Sequence, residues 1–206
     1  MNFLAHLALS GNEPEILVGN LMGDFVKGRL GGRYSGRLLA GLELHRKIDS
    51  FAENHPGFVR SKRRLDSSLG HYRGILVDLF FDHFLASEWD AWYGEPLPSF
   101  IRAAEETARR YTALLPARLQ QLLPAIFGEW LPVYEQLAGI DLVLARMARR
   151  VGGSNPLAAG SAELRRHYRE LQDDFRSFYP DACTFAAAFI AERAALDRER
   201  LLSPET

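Results

Sequence analysis

Apolar residues spaced at the helical period run through almost the whole sequence, and this pattern limits the fold more than any other feature. Alternating runs rich in Val, Ile and Thr, which predict strands, are missing. Glycine and proline separate the helical stretches, most clearly at Gly152–Gly153, where apolar helices flank the loop on both sides. The sequence therefore predicts an all-α fold, a multi-helix bundle that forms a single helical domain over residues 1–206.

We predict a series of helices whose ends are marked by capping residues, glycine or proline. Their predicted ranges are 15–26, 35–53, 73–93, 100–115, 119–126, 131–151, 161–179 and 182 to about 201. Ser35 and Ser161 are candidate N-caps, since a serine hydroxyl can accept a hydrogen bond from a free backbone N–H of the first turn. Pro180 is expected to separate the last two helices, because proline lacks the N–H that a helix interior requires.

Composition excludes several classes of protein. The formal net charge of -1 over 206 residues argues against a strongly basic nucleic-acid binder. Cys183 is the only cysteine, which excludes an internal disulfide and a cysteine-rich zinc site. The sequence does not begin with a secretory signal pattern, and no apolar run reaches the roughly 18 residues of a membrane span. We therefore expect a soluble, cytoplasmic protein that contacts neither nucleic acid nor membrane.

Two aspartates stand in a helix that is otherwise apolar. The stretch 75–85 is apolar nearly all round, which predicts burial, yet it carries Asp78 and Asp82 four positions apart on one face. A buried carboxylate normally becomes neutral or pairs with a cation, and this stretch has no Lys or Arg one turn from either aspartate. A divalent metal ion would pair with both, since hard cations prefer carboxylate oxygens. The alternative is a structural pair held by arginines from other helices.

Further His and Asp residues follow the same pattern in the N-terminal half. His45 and Asp49 share a helix face, which suits two metal ligands or one ligand oriented by a carboxylate, although an exposed weak pair is the alternative. Asp24 follows Gly23 in an apolar stretch, and the glycine would let another backbone or a ligand come close. The alternative for Asp24 is a local contact with its own backbone. His6 stands alone among apolar residues, either as part of the site or as a core residue.

Other catalytic templates are missing from the sequence. It contains no GxxxxGK[ST] phosphate loop, no GxGxxG, no HExxH and no GxSxG nucleophile elbow. Helical His and Asp ligands without cysteine favour metal-assisted hydrolysis of a phosphoester. Two alternatives stay open: a metal-dependent phosphohydrolase of a nucleotide, and a non-catalytic helical binding module in which Asp78 and Asp82 pair with arginines.

Several segments of the sequence, in order, resemble the acyl carrier protein phosphodiesterase family. They are MNFLAHL at 1–7, GNLMGDFVKG at 19–28, HRKID at 45–49 and DHFL at 82–85. The resemblance implies hydrolysis of 4′-phosphopantetheine from the serine of holo acyl carrier protein, an acidic protein substrate, to give the apo protein. It implies a divalent metal cofactor, Mn²⁺ above all, with Mg²⁺ or Fe²⁺ as alternatives. It also implies a fold similar to the His-Asp (HD) phosphohydrolases, although Asp82-His83 stands here in the reverse order.

The resemblance assigns roles to the residues already singled out. The predicted metal ligands are Asp24, His45, Asp49, Asp78 and Asp82, with His6 and His71 as candidates for orienting them. The predicted catalytic residues are Asp24, Arg46, Arg73 and His83. Both arginines neighbour a ligand motif and would stabilise charge on the phosphoryl oxygens. A histidine, His83 or His71, would give a proton to the serine leaving group.

The densest basic run is the predicted docking surface for the carrier protein. It comprises Arg60, Lys62, Arg63 and Arg64. Such a run steers an acidic partner by long-range charge, and a solvated helix face is the alternative. The site is thus expected in residues of about 1–95. The helices of about 98–202 are expected to supply packing, with the Arg149–Arg150 doublet at the surface.

Overall fold

The computed structural model describes residues 2–30, 32–34 and 36–202, with side chains described as far as residue 199. Within these ranges the chain is built of α-helices and contains no strand, which confirms the predicted all-α class. The α-helices are α1 (Phe3–Ala8), α2 (Pro14–Met22), α3 (Gly36–Asn54), α4 (Pro56–Arg64), α5 (Tyr72–Ser87), α6 (Trp89–Trp92), α7 (Leu97–Arg110), α8 (Ala117–Ala125), α9 (Leu137–Val151), α10 (Gly160–Arg166) and α11 (Tyr168–Leu202). None of the described helices is long and apolar enough to cross a bilayer.

Helix α5 lies at the centre of the fold, as its apolar sequence predicts. Phe80, Phe81 and Phe84 are fully buried, and helices α1, α4, α9 and α11 all pack against α5. A helix that is apolar on every side gains the most when other helices surround it. This position places Asp82 and His83 inside the molecule and Asp78 at the wall of a groove.

Helices α2 and α3 cross at two glycines. A Cβ on Gly19 would lie 2.3 Å from the backbone oxygen of Leu38, and a Cβ on Gly41 would lie 2.3 Å from that of Ile16. Only glycine permits such close backbone contact. The crossing holds the C-terminal end of α2, and the 3₁₀ turn Gly23–Phe25 that follows it, against the middle of α3.

Several predicted helix boundaries were wrong. The predicted helix 35–53 agrees with α3, which ends at Asn54 just before the His55-Pro56 step, but helices α1 and α4 were not predicted. Pro56 also occupies the first turn of α4, where a missing N–H costs little, and His55 Nδ1 accepts the backbone N–H of Gly57 at 3.1 Å. Helix α9 begins at Leu137, since the preceding segment 131–133 forms a 3₁₀ turn. The predicted cap Ser35 lies outside the described residues.

The predicted break at Pro180 was also wrong, because α11 continues through it. An interior proline costs roughly 3 kcal/mol through the lost N–H and the steric clash with the preceding turn. Phe178 and Tyr179 before Pro180, and Ala182 after it, are buried in the core. Tertiary packing on both sides of the proline therefore outweighs the local preference for a break.

Candidate active site

Side chains from three segments of the N-terminal half converge on one point. His6 lies on α1, His45 and Asp49 lie one turn apart on α3, and Asp24 lies in the turn after α2. The Nε2 atoms of His6 and His45 are each 3.2 Å from an oxygen of Asp49. His45 Nε2 also lies 3.6 Å from Asp24 Oδ1. The imidazole rings stack with their centroids 3.9 Å apart. These four residues form what we call the His–Asp cluster.

Asn20, a buried residue of α2, fixes how both rings are protonated. Its Nδ2 donates to the backbone oxygen of His6 at 2.8 Å and to Ser10 Oγ at 2.9 Å, so its Oδ1, 2.8 Å from His6 Nδ1, is an acceptor. His45 Nδ1 lies 2.9 Å from the Asn20 backbone oxygen, which can only accept. Both rings therefore carry a proton on Nδ1. When neutral, they turn the lone pair of Nε2 toward the Asp49 carboxylate.

Lone pairs of the cluster thus face one another. With neutral rings, the two Nε2 atoms and the Asp49 oxygens are all acceptors. Burial, helped by the charge of His45, lowers the pKa of His6 to about 4, so His6 stays neutral near neutral pH. Burial also opposes a charge on His45, but the carboxylates of Asp24 and Asp49 outweigh it and raise the pKa of His45 to about 9. A positive charge shared by the cluster is what its geometry favours.

The donor set of the cluster fits a divalent metal ion. His6, His45 and Asp49 can each offer one ligand atom, and these atoms all lie within 4.8 Å of one another. Imidazole nitrogens with carboxylate oxygens suit Mn, Fe and Zn ions. Metal-ligating histidines typically donate the other ring N–H to a protein oxygen. Asn20 supplies both of those oxygens here. Asp24, whose side chain is 54% exposed, borders the same point.

Gly23 makes room for His45. A Cβ built on Gly23 would lie 2.0 Å from Cγ of the His45 ring, far inside any real contact distance. The sequence predicted a close approach at this glycine by another backbone or a ligand, and the group that approaches is instead the side chain of His45. The ring orientation therefore depends on the absence of a side chain at position 23.

The cluster borders a groove with a volume of about 660 Å³. Asp24, Asp49 and Asp78 line it from the N-terminal half. Its wall from the C-terminal half includes Arg118, Leu122, Trp130, Met147, Arg150 and Val151. The groove therefore joins a carboxylate-rich end to a wall that is apolar and carries two guanidinium groups.

The two aspartates of α5 have different surroundings. Burial raises the pKa of Asp78, which lines the groove. Asp82 is fully buried and accepts the backbone N–H groups of Leu4 at 2.8 Å and Ala5 at 3.1 Å. It thereby satisfies the N-terminus of α1, the helix that carries His6. Burial raises the pKa of Asp82 to about 7, although these two hydrogen bonds oppose the shift. Asp82 is not among the residues that line the groove.

The predicted catalytic residues outside the cluster are held by other parts of the fold. Arg46 donates to the backbone oxygens of Val26 and Gly28, at 3.2 and 2.7 Å, and Arg73 donates to the Gly70 oxygen at 3.1 Å. None of these groups lines the groove. Both arginines therefore stabilise nearby backbone turns.

The two other histidines that were predicted as site residues, His71 and His83, do not line the groove either. His83 is buried between the Tyr134 backbone oxygen, 2.8 Å from its Nδ1, and the Tyr168 hydroxyl, 3.0 Å from its Nε2. Burial lowers the pKa of His83. His71 is exposed before the first turn of α5 and packs its ring on Tyr72. Neither histidine borders the His–Asp cluster or the groove.

The predicted docking run lies on α4, where most of its charges have partners. Arg60 and Arg64 both bind the buried carboxylate of Asp174 on α11, with N–O distances of 2.7 and 3.2 Å. Lys62 binds Glu53 at 2.6 Å. Arg63 is exposed, and no hydrogen bond or ion pair holds it among the described residues. Much of this run therefore fastens α4 to its neighbours.

Sequence analysis missed Asn20 and the arginines of the groove. Asn20 is the only polar side chain in the apolar stretch Ile16–Met22, and that isolation is a signal that could have singled it out. Arg118 and Arg150 carry no such signal, because each resembles an ordinary charge at a helix end. The helices assigned to packing alone in fact form one wall of the groove, since tertiary packing brings α8 and α9 beside the cluster.

Comparisons with known proteins agree on one family. A family model described as acyl carrier protein phosphodiesterase matches residues 1–182 of the chain. The protein of that name from Photorhabdus laumondii subsp. laumondii is 35% identical over 182 residues, which is 87% of this chain and 92% of the relative. Its namesakes from Serratia proteamaculans and Yersinia pestis are 36% and 35% identical, over 87% of this chain and 94% of each relative. No solved structure matches the chain.

Proposed function

Because the chain belongs to the acyl carrier protein phosphodiesterase family, we propose that it hydrolyses the phosphodiester of holo acyl carrier protein. The products would be 4′-phosphopantetheine and the apo protein, with the serine hydroxyl restored. The family and the names of its relatives support the substrate. The His–Asp cluster beside a groove supports the reaction class.

One observation carries the proposal of a metal-dependent reaction. Both imidazole rings use Nδ1–H to reach an oxygen of Asn20 and turn Nε2 toward the same carboxylate. The arrangement thus brings two imidazole nitrogens and a carboxylate to one point at the border of the groove, which is a donor set that suits a divalent ion. We propose His6, His45 and Asp49 as its ligands, joined by Asp24, with Asp78 as a further carboxylate along the groove.

When bound, the ion would activate water and neutralise charge on the phosphoryl oxygens. The chain's own residues prepare that chemistry. Asn20 holds both rings in one tautomer, which keeps both Nε2 lone pairs available. Asp24 and Asp49 make the end of the groove strongly negative, so it attracts a cation before substrate arrives. The close contact between Gly23 and the imidazole ring of His45 holds that ring in one position.

The docking surface of the carrier protein remains part of the proposal. Arg63 is the member of the α4 run whose charge faces solvent without a described partner, so it is the residue of that run best able to steer an acidic protein. Arg60 and Arg64 contribute less, because Asp174 neutralises part of their charge.

The test is incubation of the purified protein with holo acyl carrier protein and Mn²⁺, followed by intact-mass measurement. We expect the carrier protein to lose its phosphopantetheine arm, and chelation with EDTA to stop the loss. Asp24→Ala should abolish the reaction while the protein stays folded. Asp90→Ala, at an exposed aspartate of α6 that does not line the groove, should behave as wild type.

Two outcomes would contradict the proposal. If the arm stays attached with every divalent metal tried, holo acyl carrier protein is not the substrate. Release of phosphate from a nucleotide under the same conditions would then favour the nucleotide phosphohydrolase. If the purified protein binds no divalent ion at all, the chain acts as a helical binding module.

A further inference from the structure

We propose that Arg118 and Arg150 bind the phosphate group of the substrate from the wall of the groove that α8 and α9 build. That the phosphate belongs to a phosphopantetheine ester rests on the proposed function, whereas the phosphate site itself rests on the contacts of these two arginines. Both line the same groove as Asp24 and Asp49. Neither residue belongs to the segments that suggested the family from sequence.

Both guanidinium groups lack a partner within the described part of the chain. No hydrogen bond or ion pair is formed by Arg118 or Arg150 with another described residue. Arg146, one turn earlier on α9, contrasts with them because it binds Glu129 at 2.6 Å. A pair of cations without a carboxylate suits an anion that arrives from outside the chain.

The two charges also act on each other. Partial burial, together with the positive charge of Arg118, lowers the pKa of Arg150, so the two guanidinium groups are close enough to repel. An anion placed between them would remove that repulsion. The fold keeps the like charges together because α8 and the C-terminal turn of α9 both border the groove.

The shape of the site favours a phosphate ester over the carboxylates of a partner protein. The arginines line a concave groove, which a slender arm can enter and most of a folded protein surface cannot, so a phosphate at the root of such an arm reaches them more readily than surface carboxylates do. Apolar side chains of Leu122, Trp130 and Met147 lie on the same wall and could contact the arm. The planar guanidinium group also matches two phosphate oxygens at once.

The arginines predicted from sequence for this role have other contacts in the fold. Arg46 and Arg73 donate to backbone oxygens and are not among the residues that line the groove. The negative end of the groove repels a phosphate unless cations offset it. A metal ion would offset part of that charge, and Arg118 and Arg150, together with Lys27, are the cationic side chains that line the groove.

The first test measures binding of inorganic phosphate by isothermal titration calorimetry to the EDTA-treated protein. Wild type should bind phosphate, and the double variant Arg118→Ala/Arg150→Ala should bind at least about tenfold more weakly, since charge-assisted bonds are lost. Arg118→Lys/Arg150→Lys should recover part of the affinity. Arg149→Ala is the matched control, because Arg149 is an exposed neighbour that does not line the groove, and its affinity should match wild type.

The second test measures kcat and KM for holo acyl carrier protein with Mn²⁺. The double alanine variant should lose roughly 100-fold in kcat, as when a group that stabilises transition-state charge is removed.

Equal phosphate binding by wild type and double variant would overturn the proposal, as would no phosphate binding by wild type. A rise in KM alone, with phosphate affinity unchanged, would also overturn it and assign the pair to carrier-protein carboxylates. If wild type binds phosphate through Arg118 and Arg150 but does not release the phosphopantetheine arm from the carrier protein, the proposed function fails and the phosphate site stands.

Discussion

Helices α3 and α5 each carry a pair of ionisable residues four positions apart, and the surroundings of the two pairs differ. On α3, His45 and Asp49 both point to the His–Asp cluster, where the Nε2 atoms of His6 and His45 each lie 3.2 Å from an oxygen of Asp49. On α5, the pair divides. Asp78 lines the groove, while Asp82 turns to the N-terminus of α1 and accepts two backbone N–H groups.

The difference shows that spacing alone does not determine where an ionisable side chain lies in the fold. Both pairs satisfy the same helical geometry, and the Asp78–Asp82 helix is the more apolar of the two. The contacts of the two carboxylates separate them. Asp82 accepts two backbone N–H groups at the start of α1. Asp49 lies against the Nε2 atoms of two histidines at the border of the groove, where a metal ion could join them.

The largest effect on activity should come from Asp49→Asn. The substitution removes the carboxylate that both Nε2 atoms share, so bound metal and turnover should be lost together. We expect activity to fall by more than roughly 100-fold, beyond the 10–100-fold typical of groups that only orient a ligand. Metal content by mass spectrometry and steady-state rates provide the measurement. Full Mn²⁺-dependent activity in a folded Asp49→Asn protein would remove Asp49 from the ligand set.

A smaller loss should follow from Gly23→Ala. The new methyl group would overlap the His45 ring, so the ring must move away from Asp49 while every ligand remains present. We expect metal affinity to weaken by about 10–100-fold. Gly94→Ala is the matched control, since a Cβ at Gly94 meets nothing within 4 Å. Equal metal affinity in wild type and Gly23→Ala would show that the ring position does not govern binding.

The smallest effect on activity, but a clear one on stability, should come from Asp82→Asn. Burial raises the pKa of Asp82 from 3.8 to about 7, so the folded state binds more protons than the unfolded chain over that range. The contribution of Asp82 to stability is therefore fully present below 3.8 and is lost as pH rises through about 7. Between these two pH values, the titration of Asp82 changes the free energy of unfolding by at most about 4 kcal/mol.

Asp82→Asn cannot ionise, so its unfolding free energy should lack this fall with pH. It should also be lower than wild type under acidic conditions, by about 1–3 kcal/mol, because the amide nitrogen cannot accept a backbone N–H. Urea unfolding of the EDTA-treated proteins across this pH range measures both effects, with Asp90→Asn as an exposed control. If wild type and Asp82→Asn have parallel pH profiles, the carboxyl of Asp82 does not titrate as its burial implies.

The sequence by itself determined the helical class and the burial of α5, and it supplied candidates for the cluster. These follow from local rules, because helical period, apolar composition and spacing on one face act within a few turns of chain. His6, Asp24, His45 and Asp49 could therefore be named as candidates, and Gly23 could be recognised as a point of close approach. Helix ends were less predictable, since packing around Pro180 overrides its local preference.

Only the tertiary structure decided which of the candidates share a site. The direction of the Asp82 carboxylate depends on where α1 begins, and the partners of Arg60 and Arg64 depend on a buried aspartate more than 100 residues away in sequence. The groove wall of α8 and α9 has the same origin, because Arg118 and Arg150 meet only when their helices pack. Hydrogen-bond donors and charges act over a few ångströms in space, and one-dimensional spacing does not encode those distances.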